Sequence, residues 1–280
     1  MISLALTILC STSIALILKY NDTKSGNALV LLVGNYFVAA IIAFLIWLFE
    51  PNTTFSFIAV GAGAMIGGLF VFSFFSFAKS VNAAGTALAT ISSRLSVVIP
   101  TLLSILFFKE VPAPYQWIGY VFAGVTLLFF YLSLKKSHTG KLNLSAYLYL
   151  FAVLVGIGIN DFSLKLFNVS RPETEKQLFL FSIFAASFLY TLLIILYRKI
   201  SFEPRTFFHG TVLGIPNMLS SFFLINALLG LPATLVYPVV NIGIIVLTMI
   251  AAFLIWREKL NRYGILALIA GSFSIVLMNL

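Results

Sequence analysis

The chain has 280 residues, of which 61% are hydrophobic and only 9% charged, with a mean hydropathy of +1.10. A soluble domain carries about 25% charged residues, so these side chains cannot coat a water-soluble globule, and the bilayer is the expected solvent. The formal net charge of +9 does not point to nucleic acid. The basic residues sit in short loops between apolar runs and form no stripe with interleaved aromatics, and a charge bias across a membrane accounts for them.

The opening stretch, MISLALTILCSTSIALILKYN, has no basic n-region and no small-residue cleavage site. It is expected to be a first membrane span rather than a removed signal peptide. Ten apolar runs follow one another, at about 2–19, 28–49, 56–78, 83–108, 113–134, 144–166, 177–197, 207–229, 232–256 and 262–280. Each is near the ~20 residues a helix needs to cross. They are continuous and lack the alternation of a membrane barrel, so the expected class is an all-α polytopic membrane protein. Pro51, Pro112, Pro114, Pro172, Pro204 and Pro232 lie in or beside the connections, as helix boundaries allow. The single cysteine, Cys10, excludes an intrachain disulfide and a cysteine metal cluster. It reads as a small packing residue.

A figure in the chain occurs twice. An apolar helix ends at a charged corner and a second helix rich in small residues follows, at 105–130 and again at 253–278. A shift of 148 positions carries Glu110 onto Glu258, Lys109 onto Arg257, Tyr115 onto Tyr263 and Thr86 onto Thr234. The longest polar connection, KKSHTGKLN at 135–143, divides ten spans into five and five, and LILKYN at 16–21 resembles SLKLFN at 163–168. The expected organisation is a first repeat at 1–136, a connecting loop at 137–143 and a second repeat at 144–280. An odd number of spans per repeat inserts the second copy upside down, which is the inverted-repeat architecture.

Orientation follows from the loop charges. With the N-terminus outside, Lys19, Lys24, Lys79, Lys135, Lys136, Lys141, Arg198, Lys199, Arg205, Arg257, Lys259 and Arg262 fall inside, twelve in all. Lys109, Lys165, Arg171 and Lys176, four in all, fall outside. The excess favours both termini outside.

These residues resemble the drug/metabolite transporter superfamily, EamA type. The resemblance rests on Lys19 and Lys165 at the end of each repeat's first helix, and on Lys109-Glu110 and Arg257-Glu258-Lys259 before each last helix. The stretch VYPVVNIGIIVLTMIAAFLIWREKL at 236–260 is the closest match, and the likeness covers essentially the whole chain. It implies a ten-helix transporter fold and leaves the substrate open, since members export amino acids and other metabolites, move nucleotide sugars or take up vitamins. The small multidrug relatives exchange protons through a first-helix glutamate. No acid occurs in residues 1–20 here, so that mechanism does not carry over.

Arg94, in ATISSRLSVVIP, sits near mid-depth of the fourth run. An arginine at a helix centre costs about 2.5–3.5 kcal/mol to insert, so it is expected to face a cavity or a partner. Its planar fork suits a substrate carboxylate or phosphate. A structural ion pair or a snorkelling side chain is the plainer reading. Asp161 is the only acid well inside an apolar run. It could answer Arg94, hold a proton or cation, or pair locally with Lys165 four residues on. The amides Asn35, Asn160, Asn217, Asn226 and Asn241, with Ser92, Ser93, Ser96, Ser220 and Ser221, either line a polar cavity or glue helices together. Asn217 and Asn241 follow Pro216 and Pro238, prolines that open a helix locally, and Pro100 makes the same case for the helix of Arg94.

Tyr36, Phe74, Trp117 and Tyr237 could stack on a planar ligand, though with 29 Phe and 11 Tyr in the chain each is better explained as a core or lipid-facing residue. The run GAGAMIGG, with Gly63 and Gly67 in small-xxx-small spacing, reads as close helix contact and not as a phosphate loop. His138 and His209 fall in or near loops, and no HExxH, GxSxG or nucleotide-binding loop occurs. An enzyme, a metal site and a cofactor are therefore not expected.

The expected function is secondary transport of a small anionic or zwitterionic metabolite, such as an amino acid, by alternating access around a midplane site. Arg94 is the expected anchor, Asn35, Asn217, Asn241 and Tyr237 are polar contacts, and Asp161 is a candidate counter-ion. The partners are a small molecule and the lipid bilayer, and the oligomeric state is left open. Outward direction and a bacterial inner membrane come from the resemblance. Glu110 and Glu258 are assigned to fixing helix corners. A lipid or lipid-linked translocase, and a non-transporting membrane partner or sensor, stand as alternatives.

Overall fold

The computed structural model describes residues 1–22, 27–51, 53–134, 143–256 and 261–278, with the side chains of 19–22, 86–87, 134 and 256 outside the description. Lys24, Asn52, the loop lysines Lys135, Lys136 and Lys141, His138, and the Arg257-Glu258-Lys259 corner lie outside the described residues, as do the side chains of Lys19 and Thr86. The chain is all-helical, and no strand occurs among the described residues. In order the helices are α1 (Ile2–Asp22), α2 (Ala28–Phe49), α3 (Phe57–Ala84), α4 (Thr86–Leu95), α5 (Val98–Phe108), α6 (Pro114–Leu134), α7 (Leu144–Ser170), α8 (Lys176–Tyr197), α9 (Pro204–Gly230), α10 (Ala233–Trp256) and α11 (Arg262–Met278).

Among the described residues, eight helical segments are long and apolar enough to cross a membrane, the stretch Leu88–Phe108 counting as one of them, and Ile2–Leu18 and Arg262–Met278 are shorter apolar helices. Large apolar side chains such as Phe57, Met65, Leu106, Leu148, Leu193 and Leu254 are exposed. With backbone hydrogen bonds closed inside helices, that surface suits hydrocarbon and not water. The protein is membrane-embedded.

Helix starts are capped where the sequence offers an oxygen. Asn27, Ser56 and Asn143 accept from the backbone N–H of Leu29, Ala59 and Ala146, and Pro204 opens α9, where its missing N–H costs nothing. The fourth apolar run differs from the single helix expected at 83–108. Its first residues belong to α3, and Gly85, at φ 85°, separates α3 from α4. A second break falls at Ser96–Val97. Pro100 has no N–H for the Ser96 carbonyl, which instead accepts from Ile99 N–H at 3.0 Å. The helix therefore tightens and restarts one turn before the proline.

Small residues set the packing. α3 and α8 run parallel: Gly63 meets Phe179 and Ser182, Gly67 meets Ile183 and Ser187, and Gly68 meets Tyr190. Ser187 Oγ donates to the Gly67 carbonyl across this seam at 3.1 Å. α2 and α9 run parallel too, with Gly210 on the Leu31 carbonyl and Gly214 on that of Asn35. By contrast, α2 and α8 are antiparallel, Phe37 lying beside Phe188 and both Phe44 and Trp47 beside Phe181. α6 and α11 are antiparallel as well, since Gly119 meets Met278 while Thr126 meets Gly271. The core between these pairs is filled by Leu32, Phe179, Phe184, Met218 and Tyr237, all essentially inaccessible.

Candidate functional site

Arg94 is the second-last residue of α4, eight residues and so about 12 Å along the helix from its start. The break at Ser96–Val97 follows at once, ending the helix beside the guanidinium. Asp161 comes from the C-terminal half of α7 and Tyr237 from the second turn of α10. Arg94 and Asp161 are each half-buried. They act on one another electrostatically. No ion pair joins them, however, and neither side chain makes a hydrogen bond among the described residues. Two opposite charges thus face the same region without closing on each other. Tyr237, 1% exposed, fixes the wall of that region by donating its hydroxyl to the Asp161 backbone carbonyl.

The local Asp161–Lys165 pair does not form. Lys165 Nζ instead reaches Glu110 Oε1 at 2.8 Å, with the two side chains 7% and 14% exposed. Glu110 is therefore more than the corner residue the sequence suggests. Lys109 ends α5 in the left-handed region, φ 55°, and Glu110 follows it. Its Oε2 accepts the Thr234 N–H at 3.0 Å, in the first turn of α10. A carboxylate there also meets the positive end of the helix dipole. Pro238 provides no N–H for the Thr234 carbonyl, and Tyr120 Oη donates to it at 2.7 Å. The helix opening expected at Pro238 is thus filled by protein. Together Glu110, Lys165, Thr234 and Tyr120 tie α6, α7 and α10 together next to the Tyr237–Asp161 contact.

The amides fall elsewhere. Asn217 Nδ2 donates to Asn35 Oδ1 at 3.2 Å, bridging α9 and α2, and Asn35 is buried. Asn241 Nδ2 donates to the Tyr237 carbonyl one turn back in its own helix, at 3.1 Å. Asn160 Nδ2 donates to Ser73 Oγ at 3.0 Å, its Oδ1 unpartnered. The serines near Arg94 turn to backbone: Ser92 Oγ reaches the Leu150 carbonyl of α7 at 2.6 Å, and Ser93 and Ser96 bond within the α4 region. Ser221 bonds to the Asn217 carbonyl and Ser220 pairs with Ser11 of α1. Of the sequence candidates, Arg94, Asp161 and Tyr237 come together, Asn241 adjoins them through Tyr237, and Asn35 and Asn217 form a separate pair. No cluster of His, Cys, Asp and Glu able to hold a metal occurs among the described residues.

No family model matches the chain. It is 28% identical over 282 residues to an uncharacterized protein of Haemophilus influenzae, covering 95% of this chain and 94% of that one. Its fold is similar to a protein of known crystal structure at a TM-score of 0.81 and 13% identity, covering 99% of this chain and 94% of the other. That likeness establishes that the architecture is one that another protein adopts over nearly its whole length.

Proposed function

We propose that the chain is a secondary transporter of the drug/metabolite transporter type, EamA-like, built as two inverted five-helix repeats. It moves a small anionic or zwitterionic metabolite, such as an amino acid, outward by alternating access, with both termini outside a bacterial inner membrane. The observation that carries the reading is the open Arg94–Asp161 pair. A structural ion pair in a low-dielectric interior closes, because uncompensated charge there is expensive. This one forms no ion pair although its two groups interact electrostatically, as a site awaiting a ligand would. Arg94 would take the ligand's carboxylate or phosphate, Asp161 its cationic part, and Tyr237 would hold the wall.

The helix packing supports the inverted repeat. A shift of 148 carries Leu31 to Phe179 and Asn35 to Ile183, and a shift of 147 carries Gly63 to Gly210 and Gly67 to Gly214. Each of these glycines sits on the carbonyl of the corresponding residue in the other half. Helices that pair with their own counterparts, α2 with α8 and α6 with α11, run antiparallel. A twofold axis in the membrane plane requires that, whereas an axis along the normal would leave them parallel. Arg94 then comes from the first half, and Asp161 and Tyr237 from the second, so the site lies across the seam around which the halves would rock.

The test is flux. Purified protein in liposomes should exchange at least one labelled amino acid or small carboxylate, and Arg94→Ala and Asp161→Asn, folded to the same extent, should abolish the exchange. Absence of flux for the whole panel, with a labelled lipid scrambled instead, would replace this reading with lipid translocation.

A further inference from the structure

We infer that the outer face of the α3–α8 seam is a binding site for one anionic phospholipid. Gly68 and Val71 form the floor of a groove of about 430 Å³, and Phe72, Phe75, Tyr190 and Ile194 form its sides. All six are apolar or aromatic, Phe72 and Tyr190 are exposed at 52% and 38%, and the groove therefore opens toward lipid. It exists because of glycine: a Cβ on Gly68 would meet only the Tyr190 ring, at 3.6 Å and beyond.

Charge stands at one end of this groove. Because α3 and α8 are parallel, both finish on the same side of the membrane. Lys79 lies one turn past Phe75, and Arg198 lies one turn past Ile194. Both heads gather on the one ring of Phe75, Lys79 Nζ at 5.5 Å and the Arg198 guanidinium at 5.8 Å from its centroid. Both are exposed, and neither has an acidic partner among the described residues. Two like charges converge where no acidic side chain among the described residues holds them. An acyl chain laid along Phe72, Gly68 and Tyr190 brings its phosphate to that point. A zwitterionic headgroup would bring its own cation to the same place, so charge complementarity selects an anionic lipid. The site is independent of the Arg94 region and needs only the membrane embedding.

The test uses the full-length protein reconstituted in equal parts of phosphatidylglycerol and phosphatidylcholine, with the lipid retained per protein read by native mass spectrometry. Basic residues at a membrane surface each contribute about fivefold in anionic-lipid affinity, so Lys79→Gln/Arg198→Gln should lower phosphatidylglycerol retention about thirtyfold. Gly68→Leu, whose Cβ meets only the Tyr190 ring, occupies the groove and should displace the same lipid while leaving the melting temperature of the detergent-solubilised protein unchanged. Arg205→Gln removes an exposed cation outside the groove and should leave retention as in wild type. Equal loss with Arg205→Gln, equal retention of phosphatidylcholine, or full retention in Gly68→Leu would overturn the site. So would a wild-type dimer that Gly68→Leu dissociates, because the groove would then belong to a second copy.

Discussion

Removal of either partner of the Glu110–Lys165 pair should destabilise the protein far more than removal of both. At 2.8 Å and an effective dielectric constant near 20, the gross attraction is about 6 kcal/mol. Desolvation of two nearly buried side chains cancels much of that, so the pair's net worth is small. A lone survivor is another matter. Lys165, 7% exposed in its side chain, would keep a buried ammonium with no counter-charge in Glu110→Gln, at a cost of about 3–5 kcal/mol. Glutamine still accepts the Thr234 N–H, so this cost isolates the charge. Lys165→Met leaves the carboxylate some relief from that N–H and from the α10 dipole, and should cost about 2–4 kcal/mol. The double variant should lie within about 2 kcal/mol of wild type. In detergent melts, at about 2–4 °C per kcal/mol, Glu110→Gln should lose about 6–20 °C and the double variant should regain most of it. Single losses under about 1 kcal/mol that simply add in the double variant would refute the reasoning, since the pair would then be solvated and α6, α7 and α10 held by packing alone.

Two further outcomes follow from the backbone. A Cβ on Gly67 would lie 2.7 Å from the Ile183 carbonyl oxygen, whereas one on Gly61 meets nothing within 4 Å. Gly67→Ala should therefore cost about 1–3 kcal/mol by prising α3 from α8, while Gly61→Ala gains up to about 1 kcal/mol of helix propensity; paired thermal melts distinguish them, and equal behaviour contradicts the packing. Lys199 holds φ 50° where α8 ends, with Ile200 N–H returning to the Ile195 carbonyl at 3.1 Å. Lys199→Gly should stabilise by about 1 kcal/mol in the same assay, because a glycine adopts that conformation without strain.

The membrane class and the helix positions were legible because each is written in a contiguous stretch. Twenty apolar residues are a local signal, as are Gly63 and Gly67 at helical spacing. Pro100 announced a disturbance in the fourth run, but its site, Ser96–Val97, depends on which donor takes over the orphaned carbonyl. The charges Arg94 and Asp161 stood out against apolar neighbours, and an electrostatic relation between them was one of the readings left open. The local Asp161–Lys165 pairing, another reading left open, fails for a definite reason. Spacing of four residues puts Lys165 on the face of Asp161, yet a helix face also meets whatever packs on it, and Glu110 arrives from α5's end 55 positions earlier. Glu110, Thr234 and Lys165 had each been singled out in the sequence, and only the tertiary packing joins them. The amides divide likewise: Asn241 satisfies its own helix, and Asn35 and Asn217 satisfy each other.

The central claim is that Arg94 anchors a substrate, and ligand-dependent melting of wild type beside Arg94→Ala and Arg94→Lys tests it most directly. A ligand that binds only the folded state adds about 2.7 kcal/mol at a hundredfold excess over its Kd, a rise of about 5–10 °C at this size. Screened against amino acids, small carboxylates and phosphates, wild type should rise by that amount with at least one compound. Arg94→Ala should melt normally without ligand and show no rise, and Arg94→Lys, which keeps the charge and loses the fork, should show a reduced one. A compound that shifts wild type and Arg94→Ala equally would contradict the assignment and return Arg94 to a structural role.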